Sequence, residues 1–79
     1  MGVIMAVGFV LIKVGFGAEN KVHNTLGKLE EILESYLLFG DYDLIAKIQA
    51  TDYKELSNIV IHKIQAIKDI TEIKTLILA

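Results

Sequence analysis

The 79-residue chain has no cysteine, no proline, no tryptophan and no arginine, and its eight basic residues are all lysine. Without cysteine there is no disulfide, no thiolate metal site and no C-x-x-C pair. The two histidines, His23 and His62, lie too far apart to form a ligand cluster by themselves. The lysines are scattered among ten carboxylates for a formal net charge of −2, so no basic stripe marks a nucleic-acid footprint. An RNA reader of the sheet-face type would need basic and aromatic residues together, and direct DNA binding fails on the same ground. Long apolar runs are also lacking. The uncharged opening from Met1 to Ile12 is stopped by Lys13, short of the roughly 20 residues a spanning helix needs, and a signal peptide carries its positive charge before the apolar run. No membrane partner is expected, and the cytoplasm is the expected compartment.

Apolar residues, by contrast, are abundant, at 53% of the chain. A domain of this length buries only about 60% of the surface its unfolded chain exposes, and no staple reinforces it here. Self-association is the first expectation.

Ala6 to Val14 is short and rich in strand formers, with Val10, Ile12 and Val14 on one face and Val7, Phe9 and Leu11 on the other. Gly15 and Gly17 break it. From Ala18 the spacing of Val22, Leu26 and Leu29 marks a helical face, predicting a helix to about Glu30. A second strand is expected over Ile32 to Phe39, ended by the turn formers Gly40-Asp41-Tyr42-Asp43. The alternation of Leu44, Ala46, Ile48 and Ala50 predicts a third strand, paired with the second as a hairpin. Asp52 and Glu55 resemble a capping box ahead of the helical series Leu56, Val60, Ile64 and Ile67. Asp69-Ile70-Thr71 closes that helix, and Glu72 to Ala79 returns to strand.

The order is βαββαβ, and a weak repeat of about 33 residues relates its two halves. Right-handed crossovers then give an antiparallel sheet of order 4-1-3-2 with both helices on one face. The fold class is α+β, a ferredoxin-like sandwich. Its other face keeps Val, Leu, Ile and Phe uncovered, more than a soluble monomer usually exposes. Two sheets stacked face to face, as in dimeric α/β barrels, would complete the core as a homodimer.

The segments F-V-L-I-K-V-G, E-S-Y-L-L-F-G-D-Y-D, L-I-A-K-I-Q-A and I-T-E-I-K-T-L-I-L resemble the effector-binding (RAM) domain of the Lrp/AsnC family. The likeness covers nearly the whole chain from about Ala6. Gly40-Asp41-Tyr42-Asp43 is its most specific element, with Lys74-Thr75 in the last strand adding to it. Asp69-Ile70 stands where the family commonly has Gly-Val, which bears on the local turn. Residues 1–79 read as a single such domain without the family's helix-turn-helix. The resemblance implies transcription regulation without direct nucleic-acid contact. It also implies dimers that assemble further, often to an octamer, and a free amino acid bound near the contacts between dimers. Full-length Lrp/AsnC-type regulators are implied partners.

An amino acid needs acceptors for its ammonium, donors for its carboxylate and room for its side chain. Within the resemblance, Asp41 and Asp43 serve the ammonium, turn N–H groups beside Gly40 serve the carboxylate, and Tyr42 and Ile73 form walls. Thr71 and Thr75 add hydroxyls. Taken alone, G-D-Y-D is a hairpin turn. Both histidines read as surface residues, Tyr36 and Phe39 as sheet or dimer-seam packing, and Lys13 and Lys47 as solvated or rim positions. No cofactor or metal is expected, and no nucleophile, base or metal constellation points to an enzyme. The alternatives are an oligomerisation module without ligand, or a small cofactor-free enzyme of the dimeric α/β barrel fold.

Overall fold

The structure, a computed structural model, describes residues 5–78. Four strands, β1 (Ala6–Val14), β2 (Ile32–Leu37), β3 (Leu44–Ala50) and β4 (Ile70–Ile77), form one sheet in the order β2-β3-β1-β4, all neighbours antiparallel. This is the expected 4-1-3-2 order read from the other edge. Helices α1 (Glu19–Leu26) and α2 (Tyr53–Ile59), the latter continuing as a π-helical turn over Val60–Ile64, close one face. Alternation decides which side chains meet them. Ala6, Val10 and Ile12 of β1 and Leu44, Ala46, Ile48 and Ala50 of β3 are buried against Val22, Leu26, Leu56, Ile59, Val60 and Ile64. Gly8 shares that face, and a Cβ there would stand 3.1 Å from the Leu76 carbonyl oxygen and 3.3 Å from a Leu56 methyl. Its missing side chain is what lets α2 approach the sheet.

Helix α1 is shorter than the apolar spacing predicts. After Gly27 the chain tightens, with Lys28 N–H bonding to the Thr25 carbonyl and Leu29 N–H to that of Leu26. These i to i−3 bonds keep Leu29 packed against the core although the α-helix has ended. Helix α2 starts where the capping pair predicts. The Asp52 carboxylate accepts from Glu55 N–H at 2.8 Å, while the Glu55 side chain takes the Thr51 hydroxyl at 2.6 Å instead of reaching back to the cap. Its apolar series then runs through the π turn, sealed by Gln65 N–H on the Val60 carbonyl at 2.9 Å.

Strand β2 ends at Leu37, two residues before the expected Phe39, because the Leu38 N–H turns to the Asp43 carbonyl. Strand β4 begins earlier than expected, at Ile70, and the β1–β4 register shifts between Lys13 and Val14, leaving Thr71 as the extra residue. The expected end of that strand, Ala79, lies outside the described residues. Asp69, just before β4, has φ +77°, the left-handed region in which glycine is unstrained and Asp is tolerated.

Among the described residues no helix covers the second face of the sheet. Val7, Phe9, Leu11, Tyr36, Ile45 and Leu76 share it by alternation and register, with Lys13, Glu34, Lys47, Glu72 and Lys74 among them. Phe9, Glu34, Tyr36, Ile45 and Lys47 outline a shallow depression of about 290 Å³ there. No helix among the described residues is long and apolar enough to cross a membrane.

Candidate functional site

Where β2 hands over to β3, the chain makes a six-residue excursion, Leu38 to Asp43, beyond the last rung Leu37↔Leu44. Asp43 anchors it three ways. Its N–H donates to the Ile12 carbonyl at 2.8 Å, its carbonyl accepts from Leu38 N–H at 2.8 Å, and its carboxylate Oδ2 accepts from Val14 N–H at 2.9 Å. A residue read from sequence as a ligand group is therefore also the clamp that joins the turn to the end of β1. Among the described residues its Oδ1 receives no hydrogen bond. Gly40, at φ +134°, takes a backbone shape that side chains disfavour, and Asp41 beside it is exposed.

Tyr42 points the other way, over the helix-free face. Its hydroxyl donates to Glu72 at 3.2 Å, Lys13 Nζ lies 5.3 Å from its ring centroid, and Lys13 and Glu72 stand 3.9 Å apart. Desolvation first, then the hydrogen bond to Glu72 and the charge on that carboxylate, hold the Tyr42 phenol above its ordinary pKa, with Lys13 opposing. The turn is thus wired to β4, but not through the residues expected there. Thr71, Ile73 and Thr75 lie toward the helix side: Ile73 pairs with Ile12 and packs on the core, and Thr75 pairs with Val10. Thr71 and Ile73 line a separate depression of about 240 Å³ with Gln65, Ile70 and Glu72. Within one chain, Gly40 to Asp43 come together, and the β4 trio does not join them.

The cavity that does adjoin the turn measures about 330 Å³ and is lined by Glu19, Asn20, Leu37, Leu38, Phe39 and Asp43. Of these the sequence reading singles out only Asp43 as a site residue. Phe39 does not pack in the sheet: the strand has already ended, and it stands in the loop with its side chain fully exposed in the single chain. Glu19 and Asn20 reach the cavity from the first turn of α1, a proximity that only the tertiary fold creates. His23, expected at the surface, is half-buried, and its Nε2 lies 3.1 Å from the Ser35 carbonyl oxygen, so that nitrogen carries the proton and donates. His62 is exposed. Among the described residues no group of three or more His, Cys, Asp or Glu side chains could hold a metal ion.

Comparison with known proteins gives this arrangement a family. Residues 7–79 match the model of the Lrp/AsnC ligand binding domain. The HTH-type transcriptional regulator FL11 of Pyrococcus horikoshii is 42% identical over 50 residues, covering 63% of this chain and 33% of that protein. FL11 of Pyrococcus furiosus is 44% identical over a stretch of the same length and coverage. The chain thus matches about a third of the length of these curated relatives. Among solved structures, FFRP-DM1 superposes with a TM-score of 0.90 at 30% identity, covering 94% of this chain and 99% of that one. AsnC of E. coli gives 0.87 at 27% identity over 92% of this chain and 50% of its own. The curated relatives are HTH-type transcriptional regulators, and the matched family is a ligand-binding domain of the Lrp/AsnC type, not an enzyme family. The chain belongs to the Lrp/AsnC ligand-binding-domain family.

Proposed function

We propose that the protein is an amino-acid-binding regulatory domain that acts on transcription through assembly, in the cytoplasm, as a ligand sensor or by co-assembly with full-length Lrp/AsnC-type regulators. The observation that carries this reading is the clamped turn from Leu38 to Asp43 bordering a cavity of about 330 Å³, in a chain of a ligand-binding family. That volume sits at the low end of the roughly 300–1,000 Å³ of ligand pockets, a scale suited to a single amino acid. The free Oδ1 of Asp43 accepts the ammonium, with Asp41 nearby, and N–H groups of the turn donate to the carboxylate. A structurally similar transcriptional regulator from Neisseria meningitidis was solved as an L-Met complex, which supports an amino acid as the ligand class.

Thr71, Ile73 and Thr75 enter the site in this reading only from a second subunit, since within one chain β1 lies between β4 and the turn. The helix-free face, with Phe9, Leu11, Ile45 and Leu76, joins two copies sheet to sheet, and such dimers assemble further, to an octamer or similar ring. Coupling then needs nothing beyond linkage: a ligand that contacts the assembled form more favourably than the dissociated form shifts the balance by that difference.

A thermal-shift screen against the common amino acids tests the reading. A ligand present at about 100 times its Kd stabilises by about 2.7 kcal/mol, or roughly 10 °C or more for a domain of this size. A shift confined to a few amino acids and weakened in Asp43→Asn supports a sensor. A second reading, an assembly module without ligand, is favoured by the same apolar face and by the structural use already made of Asp43 Oδ2. It predicts a flat screen with an intact oligomer.

A further inference from the structure

Strand register orders the charges of the helix-free face. Side chains line up there in rows across the sheet. From the β2 edge to the β4 edge, one row reads Glu34, Lys47, Phe9, Leu76 and the next reads Tyr36, Ile45, Leu11, Lys74. The β2 edge therefore carries an acid and the β4 edge a lysine. Glu34 and Tyr36 act together, since the Tyr36 hydroxyl donates to the Glu34 carboxylate at 2.5 Å, and both side chains are exposed. Lys74 is exposed and forms no ion pair among the described residues, whereas Glu72, two residues before it on β4, is matched by Lys13 at 3.9 Å.

When two such sheets stack with their strands roughly aligned, the two-fold axis runs either across the strands or along them. An axis across the strands lays each strand over its own copy, acid edge to acid edge and lysine edge to lysine edge. An axis along the strands lays β2 over the partner's β4 and keeps every residue at its own height. The partner's Lys74 then arrives in the row of Tyr36, over its ring and two residues, or about 7 Å, from Glu34. At the centre Leu11 meets the partner's Ile45, and Phe9 meets the stem of the partner's Lys47. We propose that Glu34 with Tyr36 on one copy and Lys74 on the other form the selectivity contact of this face, which places β2 over the partner's β4 and admits a second copy of this chain as the partner. The inference rests on the sheet-to-sheet assembly of the reading above and specifies its orientation and partner. Symmetry makes the contact twice per dimer. A chain with a base on β2 or an acid at the Lys74 position meets like charge and is rejected.

Sedimentation equilibrium of the full chain as wild type, Glu34→Lys, Lys74→Glu and the two exchanges combined tests the assignment. Each single exchange turns both contacts repulsive and is expected to weaken dimerisation by about tenfold or more, and the combined exchange is expected to restore it to within about threefold of wild type. At about 1 M salt, where charges are screened beyond about 3 Å, the gap between the single variants and wild type should narrow. Mixing the two single variants, one of them isotopically labelled, should give heterodimers above the statistical half in native mass spectrometry. All three positions changed or contacted are exposed, and circular dichroism melts verify that each variant is folded. A Glu34→Lys chain that dimerises like wild type, or a combined exchange no better than the singles, overturns the contact while the sheet-to-sheet reading stands. Excess heterodimer between Glu34→Lys and wild type also overturns it, because acid then meets lysine only with the axis across the strands. A wild-type chain that stays single at every concentration removes the contact and the sheet-to-sheet reading together.

Discussion

Asp43 is the clamp of the turn and, in the proposed reading, a ligand group as well, and replacing it should separate the two. Its carboxylate accepts the Val14 N–H at 2.9 Å in a half-buried setting, and its backbone ties the loop to Ile12 and Leu38. Asp43→Ala keeps the backbone ties, removes a hydrogen bond to a charged group and leaves the Val14 N–H with only water to meet it. Such a loss costs about 1.5–3 kcal/mol, which for 60–100 residues lowers the midpoint by about 6–24 °C at 4–8 °C per kcal/mol. Asp43→Asn keeps an acceptor oxygen in the same place and loses only the charge assistance, about half the bond's strength. The expected order of melting midpoints is therefore wild type, then Asn, then Ala. Thermal unfolding followed by circular dichroism without ligand reads it directly. An alanine variant as stable as wild type would refute the clamp. If the clamp holds, a binding defect in the alanine variant would reflect a displaced turn as much as a missing ligand group, so Asp43→Asn is the informative variant for ligand studies.

Phe9→Glu places a charge in the middle of the helix-free face, beside Lys47 of β3; if that face joins two copies, light scattering should read the mass of one chain, and an unchanged oligomer would exclude face-to-face stacking. Asp69→Val forces a β-branched residue to φ +77° and should lower stability by about 1–2 kcal/mol in urea melts, whereas Asp69→Gly should come out near neutral, trading relief of strain against the Lys21 ion pair at 3.5 Å; equal midpoints for the two would show that backbone strain is not the cause. The hydrogen bond from Lys63, with a smaller backbone contribution, holds the Glu31 carboxyl below its ordinary pKa. A lowered acid pKa stabilises fully above the unfolded value and is lost as pH falls through the folded one, so Glu31→Gln should flatten the acid limb below about pH 4.3. Lys63 is half-exposed and Glu31 partly buried, and solvent screening on the open side limits the effect to about 1 kcal/mol.

Most of the sheet was legible because its signal is local and repeated. The alternation in β1 and β3 gave their ends to the residue and set Leu44, Ala46, Ile48 and Ala50 apart from Lys47 and Gln49, whereas both faces of β1 are apolar and only the packing of the helices makes Val10 and Ile12 the inward ones. Helix ends were harder. Leu29 keeps its inward place in a 3₁₀ turn as readily as in an α-helix, so its spacing could not announce that the helix stops at Leu26. The π turn over Val60–Ile64 is equally silent, since its buried positions satisfy the same apolar series. Among the residues expected at the site, Gly40 to Asp43 are neighbours in sequence and their clustering was safe. Thr71, Ile73 and Thr75 were not, because alternation sets the face of a strand but not which strands lie between, and β1 separates β4 from β3 and the turn.

The same geometry suggests why the turn would be a place from which to control assembly. Through Asp43 it is fastened to the end of β1, the strand at the sheet's centre. Through Tyr42 it reaches Glu72 and Lys13, at the corner of the helix-free face. One short loop therefore borders the proposed ligand cavity on the helix side and contributes an aromatic ring to the proposed subunit contact on the other. A ligand that alters the loop's preferred position changes both surfaces at once. Linkage fixes the size of the effect: if an amino acid tightens assembly tenfold, the assembled form must bind that amino acid tenfold more tightly, a coupling of about 1.4 kcal/mol. That is comparable to the strength expected of the Asp43–Val14 bond. The Tyr42–Glu72 contact, exposed and neutral on one side, is weaker, so Tyr42→Phe should reduce the coupling between ligand and assembly while leaving the midpoint of the free protein nearly unchanged.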